Sequence, residues 1–292
     1  MVVIFDPIIM IALVLNIVFS IGFFHIIRVA QVKGRNMMVV AAVNYVLASS
    51  MCFGFSALSG NTALSQPTLI WGVVQGVMFI ATYVLICTSM SLRGMAIGTA
   101  ILRLSVVIPV LASVFYWGEV PSIFQVLGIG ACLVALPLIC TRAEGQAVSQ
   151  TRLGIRGVLS IGLLFVGMGI ASIASKAFIE ADVPDAHTTF MGVLYGVAGL
   201  GAFVSFILPT WRESWSGLGD GVKLAFVNVL GILTFLVALD EVAGVIAFPV
   251  QAVGGLLLNT LFAAWVWRER FVRRTLVGMG IAAIGLIFVH VY

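Results

Sequence analysis

Arg103 and Lys176 ask first for an explanation, because each is a cation inside an otherwise apolar stretch of sequence. Arg103 lies about eight residues into the run 95–117, roughly 12 Å along a helix at 1.5 Å per residue. A cation at mid-bilayer costs about 2.5–3.5 kcal/mol on insertion scales, so it faces a cavity or a partner unless it snorkels to the interface. Pro109 follows, where a helix can kink and open. Lys176 lies near the end of the run 157–177 and four residues before Glu180; an i,i+4 ion pair and a ligand contact both account for it. No Asp or Glu stands deep in any apolar run. A cavity lined by these residues is neutral or positive, which suits a substrate bearing a carboxylate or a phosphate.

Uncharged polar residues extend the set. Gln75, Asn228, Gln251 and Asn259 interrupt apolar runs, as do Asn16 and Asn44. Each can line a polar cavity or hydrogen-bond to a neighbouring helix, a common use of Asn and Gln in membranes. Tyr45 and Tyr195 are 150 residues apart; they can flank a substrate or pack as equivalent neighbours. His25 falls near a helix end, where an interfacial position competes with proton carriage, and His187 and His290 lie at boundaries. Cys52, Cys87, Cys132 and Cys140 sit in apolar runs with no CxxC spacing, which favours packing over a disulfide or metal set. Paired acids, a metal-binding His set and a Ser/His pair at helical spacing are absent from the sequence, so no enzyme is expected. No cofactor is implied, and coupling to protons or another ion is left open.

Long apolar elements must carry these side chains. Of 292 residues, 62% are hydrophobic and 9% charged, with a mean hydropathy of +1.20, outside the range of soluble domains. Unbroken apolar runs favour helices over a barrel, whose strands would alternate. The net charge of +4 therefore concerns topology and not nucleic acid. At about 20 apolar residues per crossing, the polar breaks leave ten spans, at 7–27, 37–57, 68–90, 95–117, 122–140, 157–177, 188–209, 222–239, 243–266 and 272–290. The start, MVVIFDPIIM, lacks a basic region and carries Asp6, so residues 7–27 are kept as a helix and not read as a signal peptide. The expected fold is an all-α integral membrane protein.

Charge placement tests the count independently. Arg28, Lys33, Arg35, Arg93, Arg142, Arg152, Arg156, Arg212, Lys223, Arg268, Arg270, Arg273 and Arg274 all fall in or beside odd-numbered connections. The even-numbered ones carry Glu119, Glu180, Asp182, Asp185, Asp240 and Glu241 instead, and Asp6 lies on their side. Cytoplasmic loops collect Lys and Arg, so both termini are expected outside the cytoplasm. Such segregation would not survive a miscounted helix.

The chain also repeats itself. Residues 95–141 align without a gap on 245–291: Trp117 meets Trp267, Glu119 meets Glu269, Gly128 and Gly130 meet Gly278 and Gly280, and Leu111 and Leu136 meet Leu261 and Leu286. A Trp, a Glu and two Gly in register around one turn indicate an internal duplication. Residues 1–141 and 157–292 are then five-helix repeats joined by a cytoplasmic linker, 142–156. Five is odd, so the repeats are inverted across the membrane, as in many secondary transporters.

This pattern resembles the EamA-type ten-helix members of the drug/metabolite transporter superfamily. The resemblance rests on Leu104–Pro109 leading to Gly118-Glu119 and the glycine-rich helix after it, and on Phe248-Pro249-Val250 leading to Arg268-Glu269 and Gly278. It implies a secondary transporter working by alternating access, with Gln75, Asn228, Gln251 and Asn259 on pathway-lining helices and the spans holding Gly128, Gly130, Gly278, Gly280 and Gly285 packed as scaffold. Well-described relatives usually have cytoplasmic termini; the charges here say the reverse, so transport direction does not carry over. The expected substrate site is Arg103, Gln75, Asn228, Gln251, Asn259, Lys176, Tyr45 and Tyr195. The substrate expected is a small amino acid, organic acid or phosphorylated metabolite. A flippase for a lipid or lipid-linked sugar would use the same fold. A fused chain holds a complete pathway, so a monomer is the default and a dimer the alternative. A bacterial-type plasma (inner) membrane fits the basic loops, and the tryptophans, mostly at span ends, fit an interfacial belt.

Overall fold

The computed structural model describes residues 7–60, 64–93, 104–139, 155–184, 186–207, 215–267 and 272–290. Among them every regular element is helical: α1 (Pro7–Val32), α2 (Met37–Leu58), α3 (Gln66–Arg93), α4 (Val107–Phe115), α5 (Ile123–Ile139), α6 (Ile155–Ile179), α7 (His187–Ile207), α8 (Leu218–Glu241), α9 (Gly244–Pro249), a π-helical turn (Val250–Gly254), α10 (Gly255–Trp267) and α11 (Arg273–His290). Seven described runs are long and apolar enough to cross a membrane: α1, α2, α3, α6, α7, α8 and the continuous run from α9 through α10. Large apolar side chains such as Leu58, Phe115, Val120, Leu200 and Trp265 are exposed. Water-soluble proteins rarely leave so much apolar surface uncovered, and a bilayer covers it.

Local chemistry ends the helices where the sequence punctuates them. At the end of α1, Gly34 takes a positive φ of 62°, which a residue without Cβ adopts freely. Gly34 N–H then donates to Gln31 O and Arg35 N–H to Ala30 O, each at 2.9 Å, the two bonds of a Schellman ending. Asn36 opens α2 at once, its side chain accepting from the amides of Met38 and Val39, which satisfies first-turn donors that have no helical partner. Four residues thus reverse the chain.

The chain divides into two compact units. The first comprises Met1–Leu13, Thr82–Gly169 and Glu241–Tyr292; the second comprises Val14–Ala81 and Ile170–Asp240. Each draws helices from both halves of the sequence.

In the first unit α5 packs on α11. A Cβ at Gly128 would lie 2.7 Å from Gly285 O and from Val289 N, and one at Gly278 would lie 2.7 Å from Leu138 Cβ and 2.9 Å from Ile139 N. Only glycine lets the backbones approach this closely. The contacts are reciprocal: 128 and 278, like 139 and 289, are related by the 150-residue shift. Phe124 stacks on Phe288, centroids 6.3 Å apart.

In the second unit α2 packs on α7. Ser56 and Thr189 hydroxyls share a hydrogen bond of 2.7 Å, Ser49 Oγ donates to Gly192 O at 2.9 Å, Gly196 faces Ser49, and Gly199 faces Val46. Here too positions 46 and 49 meet 199 and 196, their equivalents exchanged. In both pairs rising numbers on one helix meet falling numbers on the other, so α2/α7 and α5/α11 are antiparallel.

Candidate functional site

Polar side chains in the second unit bond to one another. Asn228 on α8 donates from Nδ2 to Asn44 Oδ1 on α2 at 3.3 Å, and Tyr195 on α7 donates its hydroxyl to Asn228 O at 3.1 Å. Tyr195 stacks on Tyr45, centroids 6.2 Å apart and planes 28° from parallel; with exposures of 0% and 5%, these rings fill the interior and line no open surface. One turn along α8, Asn16 Nδ2 donates to Gly231 O at 2.8 Å, while Thr234 Oγ1 bonds back to Leu230 O and Gly231 O. Asn228, Gly231 and Thr234 recur every three residues, so one stripe of α8 carries the polar contacts. Asn and Gln fit such places because each amide both donates and accepts.

A second cluster ties α3 to α6. Ser175 Oγ donates to Gln75 Oε1 at 3.1 Å, with both side chains buried. The next residue, Lys176, is 5% exposed at its side chain and pairs with Glu180 Oε1 at 2.6 Å; Glu180 is 41% exposed. The cation sits in the last turn of α6, where the helix presents unpaired carbonyl oxygens and favours positive charge. Glu180 gives it both a counter-charge and a route to water.

The first unit is arranged differently. Gly118 adopts a φ of 68°, and Glu119 N–H reaches back to Ser113 O at 3.0 Å. This turn, which glycine permits, aims the Glu119 carboxylate at the start of α9: Oε1 accepts from Gly244 N–H at 2.9 Å and Oε2 from Val245 N–H at 2.7 Å. A bidentate carboxylate satisfies two first-turn amides and meets the positive end of the helix. Pro249, lacking an amide hydrogen, cannot donate to Val245 O, and its ring crowds that carbonyl. The chain widens directly after it into the π-helical turn Val250–Gly254, a feature frequent at functional sites.

Gln251 lies within this π turn and Asn259 two turns further on α10. Both are half-buried, and among the described residues neither has a hydrogen-bond partner. Their amides are free to bond a ligand. Across from α9, α4 starts at Val107, so Pro109 stands in its first turn, where no amide donor is missed, and not at a kink inside a continuous helix.

Gln75, Lys176, Tyr45, Tyr195 and Asn228 of the expected set therefore belong to the second unit, and Gln251 and Asn259 to the first. Arg103 lies outside the described residues. Sequence reasoning missed the role of Glu119, although its recurrence at Glu269 was the available signal. It also missed the π turn, whose cue was Pro249 inside a long apolar run followed by Gly254-Gly255. Cys52 and Cys132 are buried and free. Among the described residues no three His, Cys, Asp or Glu side chains are grouped to hold a metal ion.

Apolar helices of crossing length and polar residues gathered inside them define the class: a multi-pass, all-helical, membrane-embedded protein. No family model matches the chain. A Haemophilus influenzae protein described only as uncharacterized is 22% identical over 276 residues, covering 91% of this chain and 93% of that one. A solved crystal structure of a protein superposes with a TM-score of 0.73 at 16% identity, covering 95% of both chains. That similarity establishes the fold as one already observed.

Proposed function

We propose that the chain is a secondary transporter of ten membrane helices in two inverted five-helix repeats, moving a small carboxylate- or phosphate-bearing metabolite by alternating access. The observation that carries this reading is the reciprocal antiparallel packing of repeat-equivalent helices. Gly128 meets Val289 while Gly278 meets Ile139, and Gly196 meets Ser49 while Gly199 meets Val46. Reciprocal contacts are the mark of two-fold symmetry. A two-fold axis exchanging antiparallel helices is perpendicular to them; for helices crossing a bilayer it lies in the membrane plane, the symmetry of inverted repeats.

The resemblance to EamA-type transporters supports the same reading, as does the segregation of Lys and Arg to one set of connections, which puts both termini outside the cytoplasm. The anionic substrate rests on Arg103 and on the lack of acids deep in the spans. Gln251 and Asn259 contribute neutral hydrogen bonds to the substrate. A single chain holding both repeats provides the whole pathway.

Counterflow of labelled carboxylates and phosphates in proteoliposomes is the direct test. Wild-type protein accumulates label, and Arg103→Gln loses at least about tenfold of that rate at unchanged folded yield, as expected when one charge-assisted hydrogen bond of 1.5–3 kcal/mol is lost. Transport that survives the substitution removes the anion assignment. Movement of labelled phospholipid without movement of any soluble solute replaces the transporter by a flippase.

A further inference from the structure

At the end of the second unit where α1 finishes and both α2 and α8 begin, a cavity of about 430 Å³ is lined by Lys33, Arg35, Trp215, Ser216, Asp220 and Lys223, with glycines between them. Three cations face one carboxylate. Arg35 Nε lies 3.6 Å from Asp220 Oδ2; among the described residues Lys33 and Lys223 have no acidic partner, and both are exposed. The surplus positive charge calls for an anion.

Backbone contacts fix the floor of the cavity. Asn36 N–H donates to both the carbonyl and the hydroxyl oxygen of Ser216 at 3.2 Å, locking the α1–α2 turn to the segment before α8. Gly217 packs so close to Val40 that a Cβ there would fall 2.7 Å from Val40 Cγ2. Beneath, Ala30, Val40 and Leu224 form a buried cluster with Phe23, Ile26, Ile27 and Met37 against it. The helix ends that carry the cations are thereby fixed relative to one another around this space.

One face of α8 leads away from the cavity. Leu218, Val222, Phe226 and Leu230 are all exposed, and a spacing of four places them in one row along the helix. Trp215, also exposed, stands at the charged end of this row, where tryptophan occupies membrane interfaces. The bilayer that covers this row holds lipids whose chains run along it, whereas a soluble phosphate or carboxylate would use the cations alone. A molecule with an anionic head and apolar chains uses both.

We propose that this cavity binds the phosphate of an anionic phospholipid, with its acyl chains along Leu218, Val222, Phe226 and Leu230. The inference rests on the membrane-embedded class and not on transport. Each basic residue near an anionic lipid contributes on the order of 1 kcal/mol, so removing both unpaired lysines is expected to weaken binding roughly thirtyfold.

The test is native mass spectrometry of the delipidated, detergent-purified full chain titrated with phosphatidylglycerol or phosphatidylcholine, beside Lys33→Gln/Lys223→Gln. Both lysines are exposed, so the variant keeps its fold, which gel filtration and the melting temperature without lipid verify. Tighter binding of phosphatidylglycerol than phosphatidylcholine, with the preference lost in the variant, supports the site. Equal binding by variant and wild type overturns it, as does equal binding of the two lipids by wild type. A parallel titration separates the sources of phosphate: inorganic phosphate that raises the melting temperature as much as phosphatidylglycerol does, through the same lysines, makes this a soluble-anion site and overturns the lipid assignment.

Discussion

The amides expected at the site fare differently in the two compact units. In the second, Asn228 bonds to Asn44, Tyr195 to the main-chain carbonyl of Asn228, and Ser175 to Gln75, all of them buried or half-buried. In the first, Gln251 and Asn259 stand half-buried and unbonded among the described residues, beside a backbone that departs from the α-helix. A paired buried amide holds helices together, and removing one partner leaves the other unsatisfied. An unpaired amide at an irregular turn contributes little to holding the fold and has its hydrogen bonds free for a ligand. Residues that look alike in the sequence thus divide into those that stabilise and those placed to bind.

Two helix crossings carry the largest expected effect. Gly128→Ala would put its Cβ 2.7 Å from backbone atoms of Gly285 and Val289, which cannot yield as side chains do. Overpacking of this kind costs typically about 1–3 kcal/mol, and a marked drop in melting temperature and folded yield is expected. Gly199→Ala, whose Cβ would lie 3.4 Å from Val46 Cγ2 and Val46 N, an ordinary contact, gains up to about 1 kcal/mol of helix propensity, so its melting temperature is expected to hold or rise. Equal losses in the two variants would erase the distinction between the crossings.

Next come the amides. Gln75→Leu leaves the Ser175 hydroxyl unsatisfied, at a cost of about 1–3 kcal/mol, seen as a lower melting temperature with substrate affinity unchanged in the surviving folded protein. Gln251→Ala and Asn259→Ala are expected to do the reverse: the melting temperature holds while substrate affinity falls about tenfold, equivalent to 1.4 kcal/mol. If Gln251→Ala melts early and binds normally, the first unit has no special claim on the ligand.

Smaller effects follow from single bonds. Glu119→Gln keeps the shape but loses the charge and one acceptor over the start of α9; about 1 kcal/mol of stability should be lost, read by thermal denaturation in detergent. Tyr195→Phe preserves the stacked ring and removes only the bond to Asn228 O, for about 0.5–1.5 kcal/mol. A larger loss from Tyr195→Phe than from Glu119→Gln would reverse their ranking as single-bond contributions.

Helix existence was legible in the sequence because it is written locally. Gly34 and Asn36 mark the α1–α2 reversal, and Ser59-Gly60 ends α2 where punctuation residues stand; the expected 37–57 became Met37–Leu58, and 157–177 became Ile155–Ile179. Apolar periodicity cannot register a π turn, since one extra residue per turn leaves the run just as apolar, so 243–266 reads as a single helix. Nor can it show that α4 begins at Val107. The site was legible as a list of residues and not as a set of partners. Asn44 with Asn228 and Glu119 with Gly244 are long-range contacts, fixed by packing and invisible to any window along the chain. The 150-residue shift crossed that gap in part: it aligns Tyr45 with Tyr195, and the two rings stack in space.

The account's central claim, a transporter of small anions, is tested most directly by ligand stabilisation. Detergent-purified protein is melted with carboxylates, phosphates, zwitterions and organic cations, beside Arg103→Ala; a ligand bound only by the folded state raises its melting temperature. The account predicts stabilisation by one class of carboxylate or phosphate, lost in Arg103→Ala. Stabilisation by cations, or by anions equally in both proteins, would contradict it.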